Sequence, residues 1–173
     1  MFQMIIRWLK SLLHKPDKNA PLRRFSIFKK LDSFELYMLN NYLHRRSYKA
    51  GEYLFDKDYP LEMIFFIEQG EIEVLGKAHP SGHSILKKNH WIGLMDMFYE
   101  NIRSSSAKAI TEVHVLAISR SDLLDLINNN PHMGVAILTG VCESFSKYIF
   151  QICEYSNPQA NRIDEPSGAP STR

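Results

Sequence analysis

The sequence predicts a mainly β domain, an antiparallel barrel or sandwich with helices at both ends. From Ser47 onward, short segments rich in aromatic and β-branched residues recur about every eight to twelve residues, with turn-forming residues between them, as in antiparallel barrels and sandwiches. Before residue 47 and after residue 118, apolar residues recur at helical spacing instead. The length of 173 residues and the apolar fraction of 45% fit one domain with short extensions.

Residues 1–15 are predicted to form a strongly apolar amphipathic helix, because their polar residues fall on one narrow strip of a helical surface. Such a helix lies in a membrane interface, lies in a groove of a partner protein or packs on its own domain, and the sequence leaves all three open. The residues predicted to contact a membrane or a partner are Phe2, Ile5, Arg7, Trp8, Leu9, Lys10, Leu12 and Leu13.

Residues 16–24 contain two prolines among polar residues, which predicts a linker. The domain is predicted to extend from residue 25 to residue 155. It begins with a short apolar helix over residues 25–31, and Asp32 then caps a second helix over residues 34–46.

The middle of the chain is predicted as a series of short strands. Their predicted ranges are 48–55, 63–67, 71–75, 84–87 and 111–118, with a hairpin over 76–82. A serine at position 119 or 121 then caps a short helix, which ends before Pro131.

A final helix is predicted from residue 132 to about residue 155. Its apolar stripe is either core packing or a dimer interface, and consists of Leu138, Val141, Phe145, Tyr148 and Ile152. Cys142 and Cys153 lie too far apart along this helix to form a disulfide with each other, and we expect two buried thiols. Residues 156–173 lack any apolar period and are predicted to be disordered.

Residues 91–109 carry the pattern that most directly indicates a function. Gly93 precedes a short helical segment, and Arg103 and three serines follow it. Glycine adopts backbone conformations that other residues avoid, and an arginine together with free N–H groups attracts an anion. The stretch therefore predicts a small phosphate pocket formed by Gly93, Leu94, Arg103, Ser104 and Ser105, with Ser106 as a third hydroxyl.

This stretch resembles the phosphate-binding cassette of cyclic-nucleotide-binding domains, which occur in catabolite-activator-type regulators, kinase regulatory subunits and gated channels. The family pattern F-G-E-(L/I)-A-L, then P-R-(T/A/S)-A, is matched here by residues 92–97 and 102–105, with the same spacing between Gly93 and Arg103. The resemblance covers about residues 25–150. It implies an antiparallel double-stranded β-helix, also called a β-roll or jelly roll, with N-terminal helices and a long C-terminal helix.

The cassette departs from the family pattern at two positions. In the family the Arg pairs with the cyclic phosphate and the Glu accepts a hydrogen bond from the ribose 2′-hydroxyl. Leu94 stands at the Glu position and Ile102 at the Pro position. An unpaired buried hydroxyl costs on the order of one to two decades of affinity, so the resemblance implies a degenerate cassette.

Two functions follow from these observations. The first is a regulatory module that senses a small anionic ligand through the cassette, with a cyclic nucleotide as the candidate ligand, and signals to a protein partner. The alternative is a β-roll that binds no ligand and acts as an adaptor or structural subunit of a membrane-associated complex, tethered by its N-terminal helix. A homodimer through the final helix is compatible with both.

The charge distribution indicates an anionic partner for the N-terminal end. The formal net charge is +2, but residues 1–50 hold eleven Lys and Arg against three acids, a net charge of +8, which leaves −6 for the remainder. The alternative is a solvated basic face without a partner. We expect a cytoplasmic protein, with peripheral attachment to the inner membrane if the first helix meets lipid.

Other classes of function are not expected. No helix-turn-helix follows the final helix, so we expect no DNA binding. The serines lie in no nucleophile motif, so we expect no enzyme. His79, His83 and His90 lack the spacing and neighbours of a metal site, so we expect no metal.

Overall fold

The computed structural model describes residues 19–76, 83–99 and 102–156. The predicted helix over residues 1–15, most of the predicted hairpin loop and the predicted tail after residue 156 lie outside the described residues. Two antiparallel four-stranded sheets form a roll, and helices cover one side of it. This confirms the predicted mainly β fold with flanking helices and a long C-terminal helix.

The eight strands are short. They are β1 (His44–Tyr48), β2 (Tyr53–Phe55), β3 (Met63–Gln69), β4 (Ile72–Gly76), β5 (His83–Leu86), β6 (Trp91–Ile92), β7 (Ser105–Ala109) and β8 (Val113–Ser119). One sheet has the order β1-β8-β3-β6 and the other the order β2-β7-β4-β5, and neighbouring strands are antiparallel in both.

The described helices lie before β1, after β8 and between β6 and β7. Two 3-10 helices, Ala20–Arg24 and Ser26–Phe28, precede α1 (Ser33–Asn40), and α2 (Leu94–Phe98), α3 (Arg120–Asn129) and α4 (Pro131–Ser156) follow. Within the described residues, none of these helices combines the length and the apolar character needed to cross a membrane.

Strand β3 is buried on both faces and joins the two parts of the core. Because side chains alternate along a strand, Ile64 and Phe66 pack among the helices while Phe65 and Ile67 lie between the sheets. The Phe66 ring centroid lies 4.8 Å from that of Phe28. The helices therefore share a continuous apolar core with the first sheet.

The N-terminal part of the domain differs from the prediction in three ways. The predicted linker over 16–24 becomes a 3-10 helix from Ala20, and Leu22 is only 4% exposed within the helical core. The predicted helix over 25–31 is reduced to the 3-10 turn Ser26–Phe28. Asp32 caps α1 as predicted, but that helix ends at Asn40 rather than residue 46, because the residues from His44 onward pair with β8.

Both cysteines of α4 are free and exposed, which corrects the expectation of buried thiols. Cys142 follows Val141, which is 3% exposed in the core. Since consecutive residues on a helix are about 100° apart, the Cys142 side chain points away from the face that Val141 buries.

Candidate functional site

A cavity of about 430 Å³ lies between the cassette, the second sheet and α4. The cassette lines it with Gly93, Asp96, Ser104 and Ser105, and α4 with Ser144, Lys147, Tyr148 and Gln151. This volume lies within the range of about 300–1,000 Å³ that is typical of small-molecule sites. A molecule in this space would contact the cassette and the long C-terminal helix at the same time.

Gly93 is the point where the backbone turns from β6 into α2. Its φ of 102° lies in the left-handed region, which side chains other than glycine rarely adopt. A Cβ at this position would lie 2.9 Å from Nη1 of Arg103 and 3.3 Å from the Met63 carbonyl oxygen. Both the backbone conformation and the close approach of Arg103 therefore require glycine, of which the sequence predicted the conformation.

Arg103 lies behind Gly93, inside the roll, and does not itself line the cavity. Its side chain is 3% exposed. Nη2 donates a hydrogen bond of 2.5 Å to the Met63 carbonyl oxygen, and the guanidinium carbon lies 3.7 Å from the ring centroid of Phe55. The Nε and Nη1 groups are buried without any hydrogen-bond partner in the described residues.

Arg103 is a buried cation. Burial lowers its pKa from the ordinary value of an arginine to about 10, and the negative charges of Asp96 and Glu62 oppose that shift. The guanidinium is therefore still protonated at neutral pH. A buried charge without a hydrogen-bonded counter-ion is costly, so an anion that came into contact with Arg103 would stabilise it.

Leu94 points away from the cavity. Its side chain is 0% exposed and belongs to the helical core, together with Met97 one turn later. The prediction that Leu94 lines the ligand pocket is therefore wrong.

The three serines of the cassette differ in position. Ser104 and Ser105 line the cavity, as predicted. Ser106 does not line it, because its hydroxyl accepts a hydrogen bond of 2.9 Å from the Lys57 N–H on the opposite face of β7.

Asp96 lies two residues after Leu94 and could serve as an acceptor in its place, but the sequence does not show its direction; in the structure it is 8% exposed and lies at the cavity wall. The polar lining residues of α4 were not identified from the sequence. Three polar residues of α4 line the cavity, namely Ser144, Lys147 and Gln151. Their spacing of three and four residues places them on one face of a helix, but the prediction for this helix considered only its apolar stripe.

The apolar stripe predicted on the final helix packs mostly within its own domain. Val141 is 3% exposed, Phe145 packs on Trp91 with 5.8 Å between ring centroids, and Tyr148 lines the cavity. Leu138 is 37% exposed and Ile152 is half-buried. Core packing, one of the two alternatives, therefore accounts for most of the stripe, and the homodimer stays a prediction.

Of the three histidines considered for a metal, the structure describes the side chain of His90. The Nδ1 atom of His90 lies 2.9 Å from the Lys87 carbonyl oxygen. His79 and the side chain of His83 lie outside the described residues. In the part of the chain that the structure describes, no three His, Cys, Asp or Glu side chains come together as metal ligands.

Comparison with known families identifies the domain type. The family described as the cyclic nucleotide-binding domain matches residues 45–130. A Mycobacterium tuberculosis protein named CRP-like cAMP-activated global transcriptional regulator is 25% identical over 121 residues, which cover 68% of this chain and 54% of that protein. A Rhodopseudomonas palustris protein named as a potassium channel protein is 26% identical over 109 residues, 62% of this chain and 26% of that protein. The matches thus span about half or less of these relatives.

Solved structures show the same fold. A cyclic nucleotide-binding domain from Methylobacillus flagellatus superposes with a TM-score of 0.68 at 18% identity, covering 86% of this chain and 88% of that one. The Thermus thermophilus catabolite activator protein gives a TM-score of 0.61 at 22% identity, covering 76% of this chain and 63% of that one. At such identities the likeness establishes the fold and leaves ligand and activity to the site itself.

Proposed function

Since this chain belongs, through residues 45–130, to the cyclic nucleotide-binding domain family, we propose that it is a regulatory module whose cavity binds a cyclic nucleotide or a small anion of similar chemistry. The observation that carries the proposal is the buried Arg103 guanidinium behind Gly93, two of whose N–H groups lack a partner among the described residues. A phosphate group beside Gly93 would supply acceptors and negative charge to those N–H groups.

The ligand would act through α4. Lys147, Tyr148 and Gln151 line the cavity opposite the cassette, so a bound molecule contacts both. A ligand that prefers one position of α4 shifts the population toward that position by its difference in affinity. One of the relatives is named as cAMP-activated and another as a channel protein, which fits a domain that passes ligand binding to a protein partner.

The direct test is a titration of the purified chain with adenosine and guanosine 3′,5′-cyclic monophosphates, followed by calorimetry and by thermal unfolding. A ligand at 100 times its dissociation constant adds about 2.7 kcal/mol to the free energy of unfolding. For a domain of this size that corresponds to an increase of several degrees in Tm. No increase in Tm and no heat of binding at millimolar nucleotide would contradict the proposal.

Arg103→Ala should abolish the nucleotide-dependent increase in Tm, because it removes the cation that would face the phosphate. Arg46→Ala is the matched control, since Arg46 is exposed on β1 and does not line the cavity. Arg103→Lys serves as a second variant: it keeps the charge, loses the planar set of donors, and should bind more weakly than the wild type. An Arg103→Ala chain that folds and binds as tightly as the wild type would exclude the role given to Arg103.

A second candidate function is an adaptor that binds a protein rather than a nucleotide. It is favoured by exposed apolar side chains beside the cassette, namely Tyr59 (65% exposed), Phe98 (46%), Tyr99 (79%) and Ile102 (48%). A β-bridge between Pro60 and Ile102 brings the two segments together. Large exposed apolar side chains in neighbouring segments are typical of protein contacts. This function predicts no effect of nucleotides on stability.

Both candidates share a proposed cytoplasmic location, with the first fifteen residues attaching the chain to a membrane surface or to a larger complex. The apolar face and the basic residues of that segment support such an attachment.

A further inference from the structure

We propose that the outer face of α1 binds an anionic lipid surface, so that the folded domain itself contacts the membrane beside the first segment. This proposal goes beyond the ligand-binding function and does not depend on it. It extends the attachment through the first fifteen residues, because it gives the domain a second contact, and with it an orientation, on the same surface.

The outer face of α1 carries exposed aromatic side chains. Phe34 is 68% exposed and Tyr37 is 56% exposed. The two are three residues apart and are therefore neighbours on the helix surface. The opposite face of the helix buries Leu36 and Leu39 in the helical core. The aromatic pair lies outside that core and is available to a partner.

The helix α1 exposes no charged side chain. Its one charged residue, Glu35, is 7% exposed. The Glu35 carboxylate accepts a hydrogen bond from the Asp32 N–H and contacts His132, so its charge is directed inward. The exposed residues of the helix are all neutral, namely Ser33, Phe34, Tyr37 and Asn40. An anionic surface would therefore meet no like charge on this face.

Basic residues flank α1 on both sides. Residues 19–48 hold six Lys and Arg against two acids, a net charge of +4. Arg45 lies opposite Leu116 of β8, whose side chain belongs to the helical core, so Arg45 is on the side of the sheet that carries α1. Exposed aromatic side chains among basic residues are the combination that an anionic membrane interface attracts. The exposed basic residues nearest to the helix in sequence are Lys29, Lys30, Arg45 and Arg46.

The place where the chain enters the domain favours lipid as the partner. The 3-10 helix Ala20–Arg24 contacts α1. Since a 3-10 helix rises about 2 Å per residue, the chain leaves the described domain toward residue 18 within roughly 10 Å of that contact. The apolar and basic first segment is thus joined to the domain beside the aromatic face. Two aromatic side chains alone bind a membrane weakly, so we expect the two elements to act together.

The exposed apolar side chains beside the cassette lack these features. Residues 56–62, around Tyr59, hold three acids and one Lys, a net charge of −2. Asp58 is 79% exposed. These charges would repel anionic lipid, so the charge distribution selects α1 rather than the cassette side as the lipid-facing surface.

The experiment measures binding of the full chain to phosphatidylcholine vesicles with and without about 30% phosphatidylserine, by co-sedimentation. The wild type should bind the anionic vesicles more tightly than the neutral ones. Phe34→Ala should weaken binding to the anionic vesicles about tenfold, because it removes an aromatic side chain that the interface would bury. Phe150→Ala is the matched control, since Phe150 is 70% exposed on α4, and it should bind like the wild type. Both variants should keep the wild-type Tm.

The contribution of charge is tested at the flanking lysines. Lys29→Gln should weaken binding to the anionic vesicles about fivefold, as for one basic residue near a negative surface, and should not change binding to neutral vesicles. Lys88→Gln is the control, since Lys88 is exposed between β5 and β6. It should change neither.

A folded Phe34→Ala variant that binds like the wild type would overturn the proposal and leave the attachment through the first fifteen residues intact. Equal losses in Phe34→Ala and Phe150→Ala would overturn it too, since binding would then not be specific to α1. Equal binding of the wild type to both kinds of vesicle would contradict an anionic lipid. A wild type that binds neither would refute lipid contact by α1 and by the first segment, and would indicate a protein partner instead. The nucleotide titration tests the ligand-binding function separately from all of these results.

Discussion

Two glycines adopt the same left-handed backbone in opposite surroundings. Gly51 has a φ of 90° and Gly93 a φ of 102°. A Cβ on Gly51 would meet nothing within 4 Å, whereas one on Gly93 would lie 2.9 Å from Nη1 of Arg103. A comparison of alanine substitutions at Gly51 and Gly93 therefore separates the cost of the backbone conformation from the cost of crowding the guanidinium.

Gly51→Ala should lower the free energy of unfolding by about 1–2 kcal/mol, the cost of a left-handed conformation for a residue with a Cβ. Gly93→Ala should cost clearly more, because the methyl group also displaces Arg103. It should weaken nucleotide binding as well, which Gly51→Ala should leave unchanged. Urea unfolding and calorimetry measure the two effects. Equal costs for the two variants would mean that Arg103 moves aside freely.

The position of Gly93 and Arg103 at one site was predictable from the sequence, because their spacing and residue types are themselves the signal. The direction of Leu94 was not. A five-residue helix after a left-handed glycine has too few residues for a periodic pattern to show which side faces the core. Packing of Leu94 and Met97 against the helical core sets that direction, and it places Asp96 at the cavity.

At the scale of elements, one carboxylate connects the first and last helices. Glu35 accepts a hydrogen bond of 2.9 Å from the Asp32 N–H in the cap of α1. Its other oxygen lies 2.6 Å from Nδ1 of His132, at the start of α4. The start of the helix that closes the cavity is thus tied to the N-terminal helices through a titratable group.

This contact predicts a pH dependence. The hydrogen bond to Glu35 and its negative charge raise the pKa of His132 above the ordinary value of 6.5. A raised pKa means that the folded state binds the proton more tightly, so the stabilisation is fully present below about pH 6.5. It is lost as the pH rises through the folded-state pKa.

The measurement is urea unfolding of the wild type and His132→Gln at intervals from pH 5.5 to 8.5. The wild type should be the more stable at the acid end, and the difference should shrink as the pH rises. The imidazole is exposed, so the effect should be small. A difference that is independent of pH, or that grows with pH, would show that the contact does not depend on the proton.

The same scale shows how far sequence patterns predict the elements. The Asp32 cap and the strands around Met63–Gln69 and Val113–Ser119 were predictable from local signals, a capping residue and runs of branched side chains. The segment from His44 to Arg46 was predicted as helix but forms β1. This strand pairs with β8, about seventy residues later in the chain, and local propensity does not predict a pairing between such distant segments.

At the scale of the whole molecule, the folded domain begins before residue 25. Leu22 is 4% exposed in the helical core. Nη2 of Arg23 donates a hydrogen bond of 3.0 Å to the Leu31 carbonyl oxygen, and Arg24 forms an ion pair with Glu68 of β3. The sequence did not predict this earlier start, because residues 16–24 contain two prolines among polar residues and one buried leucine gives no periodic signal.

A test of membrane or partner attachment must therefore remove residues 1–18 and no more. That deletion should leave Tm and nucleotide binding within error of the full chain, whereas deletion of residues 1–24 should destabilise the domain by about 2–5 kcal/mol through loss of buried Leu22.

In cell fractionation, the 1–18 deletion should move the protein from the membrane or complex fraction to the soluble fraction. Leu22→Ala in the full chain is the control, since it lowers stability but retains the first segment and should not change the fraction. Unchanged fractionation of a folded 1–18 deletion would contradict a tether in that segment. It would leave the exposed side chains beside the cassette, Tyr59, Phe98, Tyr99 and Ile102, as the surface through which an adaptor would act.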